Sequence, residues 1–272
     1  MKSQDLNHQA DPPDGSYSPE AQTETATLEQ PLQKTIVLVH AAWLGKWQWN
    51  AVVPYLEKEG FRVQAPDLPG HGEDTTPPGI ITMEDYVNQL VEILDGEKQP
   101  VLLVGHSFNG ITISQVAELR PEKISGLVYL AAFLLPAGGS FFKATQGVKN
   151  SEAVANFYLT EDQSAALIKE AALHSAFAHD LPKEIFNEAK PLLVPEPAEP
   201  LTFSLVISKA RFGQLPKYYI ECTEDRAIPI DAQRAMYQNN VDRVYTLESS
   251  HTPNFSQPKA LANILLEIAQ SP

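Results

Sequence analysis

A serine at the end of an apolar stretch is the residue best placed to do chemistry. Residues 101–104 read Val-Leu-Leu-Val, which predicts a buried strand, and Gly105-His-Ser107 follows directly. A serine on a sharp turn between a strand and a helix exposes its hydroxyl at the carboxyl end of a sheet, where it can attack a carbonyl carbon. Asn109 stands where this motif usually has a second glycine, with Gly110 next to it. Because Asn tolerates unusual backbone angles, we interpret the segment as a modified form of this turn.

A base must accept the proton of the serine, and three histidines follow Ser107 in the chain. His174 and His179 fall in a segment with helical patterns, and we interpret both as surface residues of helices. His251 follows the predicted strand 243–247 across a short polar loop. It is therefore expected at the carboxyl end of the last strand, as a base of this kind should be. We predict His251 as the general base.

The base in turn needs a carboxylate to orient its imidazole. In folds of this type the acid lies between the serine and the histidine in the chain. The loop after the predicted strand 217–221 offers two candidates, Glu224 and Asp225. A shorter carboxylate at the tip of a tight turn suits a fixed hydrogen bond to Nδ1–H, so we favour Asp225 over Glu224.

Two backbone amides are candidates for the oxyanion hole that stabilises the negative charge of a tetrahedral intermediate. One is the N–H of Phe108, directly after the serine, and the other is the N–H of Ala42, in the loop after the first predicted strand. Backbone donors require little of their side chains except small size, which Ala42 satisfies. Trp43 and Phe133 are candidates for the wall of an apolar substrate pocket.

Strands and helices alternate around these residues. This alternation predicts an α/β fold with a mostly parallel central sheet and helices on both faces. Thr82 and Asp85 are spaced as a capping box at the start of one helix. The predicted strands and helices are, in chain order, strand 35–39, helix 47–59, strand 61–66, helix 82–94, strand 101–104, helix 109–120, strand 124–131, strand 217–221, helix 231–238, strand 243–247 and helix 258–269.

The alternation stops after Phe133. Residues 134–216 show no obvious buried strand and carry helical patterns around 151–178 and 182–189, so we expect a helical cap here. An insertion at this point would lie over the carboxyl ends of the strands, where open α/β sheets bind ligands. The predicted core then consists of 34–133 and 217–272. Residues 1–33 are polar with almost nothing to bury, and we expect a disordered tail.

Composition limits the partners of the chain. A formal net charge of −14 argues against binding to nucleic acid, whose phosphates require a basic surface. No apolar run reaches the roughly 18 residues of a membrane span, and the N-terminal segment lacks the apolar region of a secretory signal. We therefore expect a cytoplasmic protein acting on a small molecule. The sequence does not fix the oligomeric state, and a homodimer is one of the alternatives.

Five motifs in order resemble the α/β-hydrolase superfamily. The likeness runs from about residue 34 to 270, fades inside 134–216, and is closest to the branch of plant methyl-ester esterases, hydroxynitrile lyases and similar bacterial esterases. It implies a triad of Ser107, Asp225 and His251, the Ala42 and Phe108 amides as oxyanion hole, and no metal or organic cofactor. The motifs are Leu38-Val-His-Ala-Ala-Trp43, Asp67-Leu-Pro-Gly-His-Gly72, Gly105-His-Ser-Phe108, Tyr129-Leu-Ala-Ala-Phe133 and Cys222-Thr-Glu-Asp225.

The resemblance also favours one reaction over another. The related lyases carry a hydroxyl residue where Ala41 stands and a lysine where Thr252 stands. A lyase needs a cation to stabilise departing cyanide, which Thr252 cannot supply, and Lys46 is placed in a surface turn. We therefore predict a serine esterase acting on a small, fairly apolar ester. A lyase that uses the same triad as a base and a binding protein with a residual triad remain alternatives.

Overall fold

Six parallel strands form the central sheet of this computed structural model, which describes residues 33–271. The sheet has the strand order 2-1-3-4-8-9, and all five of its pairings are parallel. The remaining three strands form a separate antiparallel sheet. In chain order the strands are β1 (Thr35–Val39), β2 (Arg62–Gln64), β3 (Val101–His106), β4 (Ile124–Leu130), β5 (Phe157–Leu159), β6 (Ala165–Ile168), β7 (Glu196–Pro197), β8 (Lys217–Cys222) and β9 (Arg243–Leu247).

Helices cover both faces of the central sheet. Successive residues of a strand point to opposite faces, so Leu103 packs into one core with the second and third helices, and Leu102 into another with the first and last. The helices are α1 (Val53–Lys58), α2 (Met83–Gly96), α3 (Gly110–Leu119), α4 (Phe141–Thr145), α5 (Glu152–Ala155), α6 (Glu170–Phe177), α7 (Lys183–Ala189), α8 (Ala198–Thr202), α9 (Ile230–Tyr237), α10 (Pro253–Ser256) and α11 (Pro258–Gln270).

The predicted α/β architecture is confirmed, although the helix expected over 47–59 and the strand expected over 61–66 are both shorter. The helix expected over 47–59 is a 3₁₀ turn (Lys46–Trp49) followed by α1, whose second residue is Pro54. Proline is tolerated in the first turn of a helix but not in its interior, so the helix begins only at Val53. The predicted capping box is present, because Thr82 and Asp85 exchange hydrogen bonds at the start of α2.

The helical cap expected over residues 134–216 also contains strands, which the sequence did not show. The segment holds α4 to α8 and also β5, β6 and β7, which pair as a small antiparallel sheet. Two of these strands fall within 151–178, where the sequence predicted a helix. Strands of two to four residues are too short to show the alternation of apolar and polar residues that marks a longer strand.

The predicted disordered tail, residues 1–33, lies outside the described residues except for Gln33. None of the helices within 33–271 combines the length and the apolar character that crossing a membrane requires.

Candidate active site

Ser107 lies on a sharp turn between β3 and α3. Its backbone has φ 57°, in the left-handed region that is uncommon for residues other than glycine. Its two flanking glycines lie where a side chain would collide with backbone. A Cβ on Gly105 would come within 2.8 Å of the Asn109 carbonyl oxygen, and one on Gly110 within 2.6 Å of the Phe133 carbonyl oxygen. Strained backbone of this kind is typical of functional turns, and here it positions a serine that is 6% exposed.

Asn109 serves this turn through its side chain. Its backbone has φ −72° and ψ 3°, a negative φ that does not require glycine or asparagine. The buried amide instead donates from Nδ2 to the His40 carbonyl oxygen at 2.6 Å and accepts from Thr112 Oγ1 at 2.6 Å. Asn109 thus ties the serine turn to the end of β1.

Asp225 and His251 form a buried pair. The Asp225 Oδ2 atom lies 2.6 Å from Nδ1 of His251, and the two residues are 5% and 1% exposed. The other carboxylate oxygen of Asp225 accepts the N–H groups of Ala227 and Ile228 at 2.7 and 2.8 Å. These bonds fix the carboxylate, which in turn orients the imidazole. Glu224, the alternative acid, is exposed.

His106, the residue before Ser107, contacts His251. The rings of His106 and His251 are 4.8 Å apart, and His106 Nε2–H donates to the His251 carbonyl oxygen at 2.9 Å. His251 Nε2 is buried and has no hydrogen-bond partner among the described residues, Ser107 Oγ included. A serine–histidine contact often tightens only when substrate is bound. The free nitrogen is the one that a general base would use.

A chain of buried hydrogen bonds joins the first loop to the histidine loop. The Ala41 N–H donates to Gln48 Oε1 at 3.0 Å, and Gln48 Nε2 lies 3.2 Å from His106 Nδ1. Nε2–H of His106 donates to the His251 carbonyl oxygen, and the Gln48 amide nitrogen can only donate, so Nδ1 of His106 accepts and the ring is neutral. Burial and the neighbouring His251 lower the pKa of His106 well below its usual value, in agreement with this assignment.

Ala42 and Phe108, the predicted oxyanion-hole residues, lie in two different turns. Ala42 belongs to a turn closed by a hydrogen bond from the Leu44 N–H to the Ala41 carbonyl oxygen at 3.3 Å. Phe108 lies in the short 3₁₀ turn that begins at Ser107, where the first N–H groups have no partner within the turn. Neither amide donates to a backbone acceptor in the turns and loops of residues 33–271. Both therefore stay candidates for the oxyanion hole.

An apolar cavity of about 410 Å³ opens at Ser107. The predicted pocket residues Trp43 and Phe133 both line it. His251 is not a lining residue, but its ring lies 5.6 Å from the ring of Phe177, which is. Among the described residues of the wall, none carries a charge. The wall consists of Trp43, Ser107, Phe133, Leu134, Leu135, Pro136, Phe141, Ala144, Thr145, Val148, Ala153, Val154, Phe157, Ile168, Phe177, Ala227, Ile228, Ala232, Ala235, Met236 and Asn240.

The two alternative histidines have other partners. His174 Nε2 hydrogen-bonds the Leu181 carbonyl oxygen, and His179 Nε2 hydrogen-bonds the Glu224 carbonyl oxygen. Neither is joined to Ser107. The loop of His251 is held by the inserted segment, because Ser250 Oγ and Thr252 Oγ1 both donate to the Phe177 carbonyl oxygen, at 3.0 and 2.8 Å.

Sequence reasoning missed three buried polar residues around this site. Gln48 and His106 form the chain described above, and Glu196 of the inserted segment accepts from the Trp43 N–H at 3.1 Å. A signal was available for Gln48, a polar residue between Trp47 and Trp49. Nothing in the sequence indicates that Glu196 meets a residue 153 positions away.

Comparison with known proteins identifies the family. The model of the alpha/beta hydrolase family matches residues 36–264. This chain belongs to the alpha/beta hydrolase family. Among curated relatives, putative methylesterase 11, chloroplastic, of Arabidopsis thaliana is 36% identical over 86% of the chain and 63% of its own length. Methylesterase 9 of the same plant is 33% identical over 87% of the chain and 98% of its own length.

Solved structures of alpha/beta hydrolases agree with this assignment. A pyrethroid hydrolase from Sphingobium faniae JZ-2 superposes with a TM-score of 0.80 at 28% identity, covering 88% of this chain and 98% of that one. Putative methylesterase 11 is longer than this alpha/beta hydrolase, which spans 63% of its length.

Proposed function

We propose that this chain is a serine hydrolase that cleaves a small, largely apolar carboxylic ester through an acyl-enzyme. The observation that carries the proposal is the buried Asp225–His251 pair, 2.6 Å apart, whose histidine contacts His106, the residue before the strained Ser107. A neutral imidazole whose Nδ1–H is held by a carboxylate and whose Nε2 is free can accept a proton from a neighbouring hydroxyl. The names of the relatives, which are methylesterases and a pyrethroid hydrolase, support the same reaction class.

In this mechanism Ser107 Oγ attacks the ester carbonyl carbon while His251 Nε2 takes the hydroxyl proton. The Asp225 carboxylate stabilises the imidazolium that results. The carbonyl oxygen becomes an oxyanion held by the N–H groups of Ala42 and Phe108. The tetrahedral intermediate collapses, His251 returns its proton to the departing alcohol, and a water molecule activated by His251 then releases the acid from Ser107.

The cavity indicates which esters fit. A largely apolar cavity of about 410 Å³ is of the size that holds a small organic ligand. Because its described wall carries no charge, a free carboxylate or amine on the substrate would have no ionic partner there. We therefore assign uncharged acyl and alcohol groups. In this proposal 34–133 and 217–272 form the catalytic core and 134–216 the cap that supplies much of the wall; the cytoplasmic location stays a prediction.

A cyanohydrin lyase with the same triad is the second candidate, and the positions of its required cation argue against it. Thr252 uses its hydroxyl on the Phe177 carbonyl oxygen and carries no charge. Lys46, the cation nearest in sequence to the first loop, is half-exposed and pairs with Asp67 and Glu73. A binding protein with a residual triad is the third candidate. The fixed orientation of His251 argues against it, because binding alone does not require an ordered base.

Hydrolysis of p-nitrophenyl butyrate tests the proposal. The wild-type chain is expected to release p-nitrophenol with an initial burst, as an acyl-enzyme accumulates. Ser107→Ala should remove the burst and lower kcat by at least about 10⁴-fold. Ser125→Ala is the matched control, because Ser125 is exposed on β4. A wild-type chain that hydrolyses no ester of a graded p-nitrophenyl series, or a Ser107→Ala variant that retains the burst, would refute the proposal.

A further inference from the structure

Trp43, the residue after Ala42, is held by the inserted segment through three hydrogen bonds. Its N–H donates to Glu196 Oε2 at 3.1 Å, its indole Nε1–H to the Ala166 carbonyl oxygen at 2.9 Å, and its carbonyl oxygen accepts the Val194 N–H at 3.0 Å. All three partners come from residues 134–216. The inserted segment therefore contacts the oxyanion loop directly, in addition to lining the cavity.

These bonds hold a backbone conformation that Trp43 disfavours. Trp43 has φ 64°, which is uncommon for a bulky residue. It is the third residue of the Ala41–Leu44 turn, a position at which a positive φ is usually supplied by glycine or asparagine. If Trp43 relaxed to a negative φ, the adjoining peptide units would rotate to keep the turn closed. The direction of the Ala42 N–H depends on that turn.

Glu196 is itself buried among hydrogen-bond partners. It is 0% exposed, and its Oε2 also lies 2.8 Å from His71 Nε2, while Tyr86 donates its hydroxyl to Oε1 at 3.1 Å. The other nitrogen of His71 faces the Pro69 carbonyl oxygen at 3.0 Å. With an acceptor at each nitrogen, the His71 ring carries both protons and is cationic.

The charge state of this cluster agrees with its geometry. Burial alone would lower the pKa of His71, but the Glu196 carboxylate and its hydrogen bond raise that pKa above its ordinary value. Burial and the same carboxylate raise the pKa of Tyr86 well above its ordinary value, so the phenol keeps the proton that it donates. One carboxyl oxygen of Glu196 is thus held by Tyr86, and the other is shared by His71 and the Trp43 N–H.

We propose that Glu196 is a positioning residue for the oxyanion hole. Glu196 holds Trp43 by its N–H and so keeps the Ala42 amide directed at the reacting carbonyl oxygen. This inference rests on the proposed esterase function. It assigns to the inserted segment a part in the chemical step, beyond covering the cavity. Glu196 does not touch substrate, and its effect passes through Trp43 and Ala42.

Glu196→Ala and a matched control test this role. Losing an oxyanion donor typically lowers turnover by ~10²–10³-fold, and displacing one by releasing Trp43 should lower kcat by about 10²-fold. KM for p-nitrophenyl butyrate should change less than about threefold, because the Trp43 indole keeps its bond to the Ala166 carbonyl oxygen and so stays in the cavity wall. Glu199→Ala is the control: Glu199 is exposed three residues along and accepts the Met83 N–H of the core at 2.8 Å, so it also joins the segment to the core.

Binding of an alkyl trifluoromethyl ketone separates positioning from a general loss of structure. This ketone forms a tetrahedral adduct with the serine, whose oxygen occupies the oxyanion hole, whereas the uncharged alcohol with the same alkyl chain forms no adduct and makes no such demand. Glu196→Ala should weaken inhibition by the ketone about as much as it lowers kcat and leave inhibition by the alcohol near the wild-type value. Parallel weakening of both ligands would show a structural role alone and overturn the proposal.

A second variant decides the question if Glu196→Ala fails to fold. Glu196→Asp keeps a carboxylate for His71 but is shorter by one methylene, about 1.5 Å, so it should lose the Trp43 N–H and lower kcat about tenfold or more. A kcat within about threefold of wild type in the folded variant would overturn the proposal. If the wild-type chain and Glu199→Ala hydrolyse the ester and the Glu196 variants have the same kcat, only this inference fails. If the wild-type chain does not hydrolyse the ester, the proposed function fails.

Discussion

Replacing Asn109 with glycine restores the residue usual at this position of the motif, and the structure predicts that this change is harmful. The Asn109 side chain is 1% exposed and makes two hydrogen bonds of 2.6 Å, to the His40 carbonyl oxygen and from Thr112 Oγ1. Glycine would remove both and leave the two partner groups buried. Its greater freedom in the unfolded chain adds a further cost.

The expected loss of stability follows from these contacts. Each lost hydrogen bond costs about 0.5–1.5 kcal/mol, and more where the remaining partner stays buried without one. With the glycine term of about 0.5–1 kcal/mol, we expect Asn109→Gly to lower the free energy of unfolding by about 3 kcal/mol. For a chain of this size that corresponds to a fall in Tm of about 6–12 °C. We also expect a lower kcat, because the serine turn loses its tie to the loop of Ala42.

Thermal and urea unfolding measure this effect. Asn156→Ala is the control, because Asn156 is half-buried and its side chain makes one hydrogen bond, from Nδ2 to the Glu152 carbonyl oxygen at 2.9 Å; its loss should cost about 1 kcal/mol or less. Asn109→Ala separates the lost bonds from the backbone effect of glycine and should retain most of the destabilisation. An Asn109→Gly chain as stable as wild type would refute the reasoning, since the two buried bonds would then contribute nothing.

Three further outcomes follow from the same contacts. Asp225→Asn should lower kcat by about 10⁴-fold with little change in fold, because the amide favours the wrong tautomer of the histidine; kcat near the wild-type value would contradict this role. Gly110→Ala should destabilise the chain in urea unfolding, because its Cβ would lie 2.6 Å from the Phe133 carbonyl oxygen; unchanged stability would contradict the packing. Burial, and the neighbouring charge of His71, lower the pKa of His40 from 6.5 to about 3. Below pH 6.5 His40 therefore binds a proton in the unfolded chain but not in the folded chain. The free energy of unfolding should therefore fall between pH 7 and pH 5, by on the order of 2 kcal/mol from His40 alone, and stability that stays constant over this interval would show that the ring is not held neutral.

The central sheet could be predicted because its strands are continuous apolar runs. Residues 101–104 and 124–131 lie at its centre, and a strand with both faces covered needs apolar side chains on both. The order of serine, acid and histidine along the chain then selected the candidate residues. The close approach of Asp225 and His251 agrees with that selection.

The inserted segment could not be predicted to the same extent. Its strands have two to four residues, and their placement depends on contacts with distant parts of the chain, as where Trp43 Nε1–H meets the Ala166 carbonyl oxygen. The roles of Gln48 and Glu196 have the same origin. A buried polar residue is recognised by the partners that satisfy it, and those partners are adjacent only after folding.

Labelling with a fluorophosphonate probe tests the central claim most directly. The probe reacts with a serine hydroxyl that a neighbouring base has activated, and mass spectrometry of the digested chain locates the adduct. We predict one adduct, on Ser107, at a rate that falls sharply in His251→Ala. Labelling at another serine, or equal labelling of wild type and His251→Ala, would contradict the account.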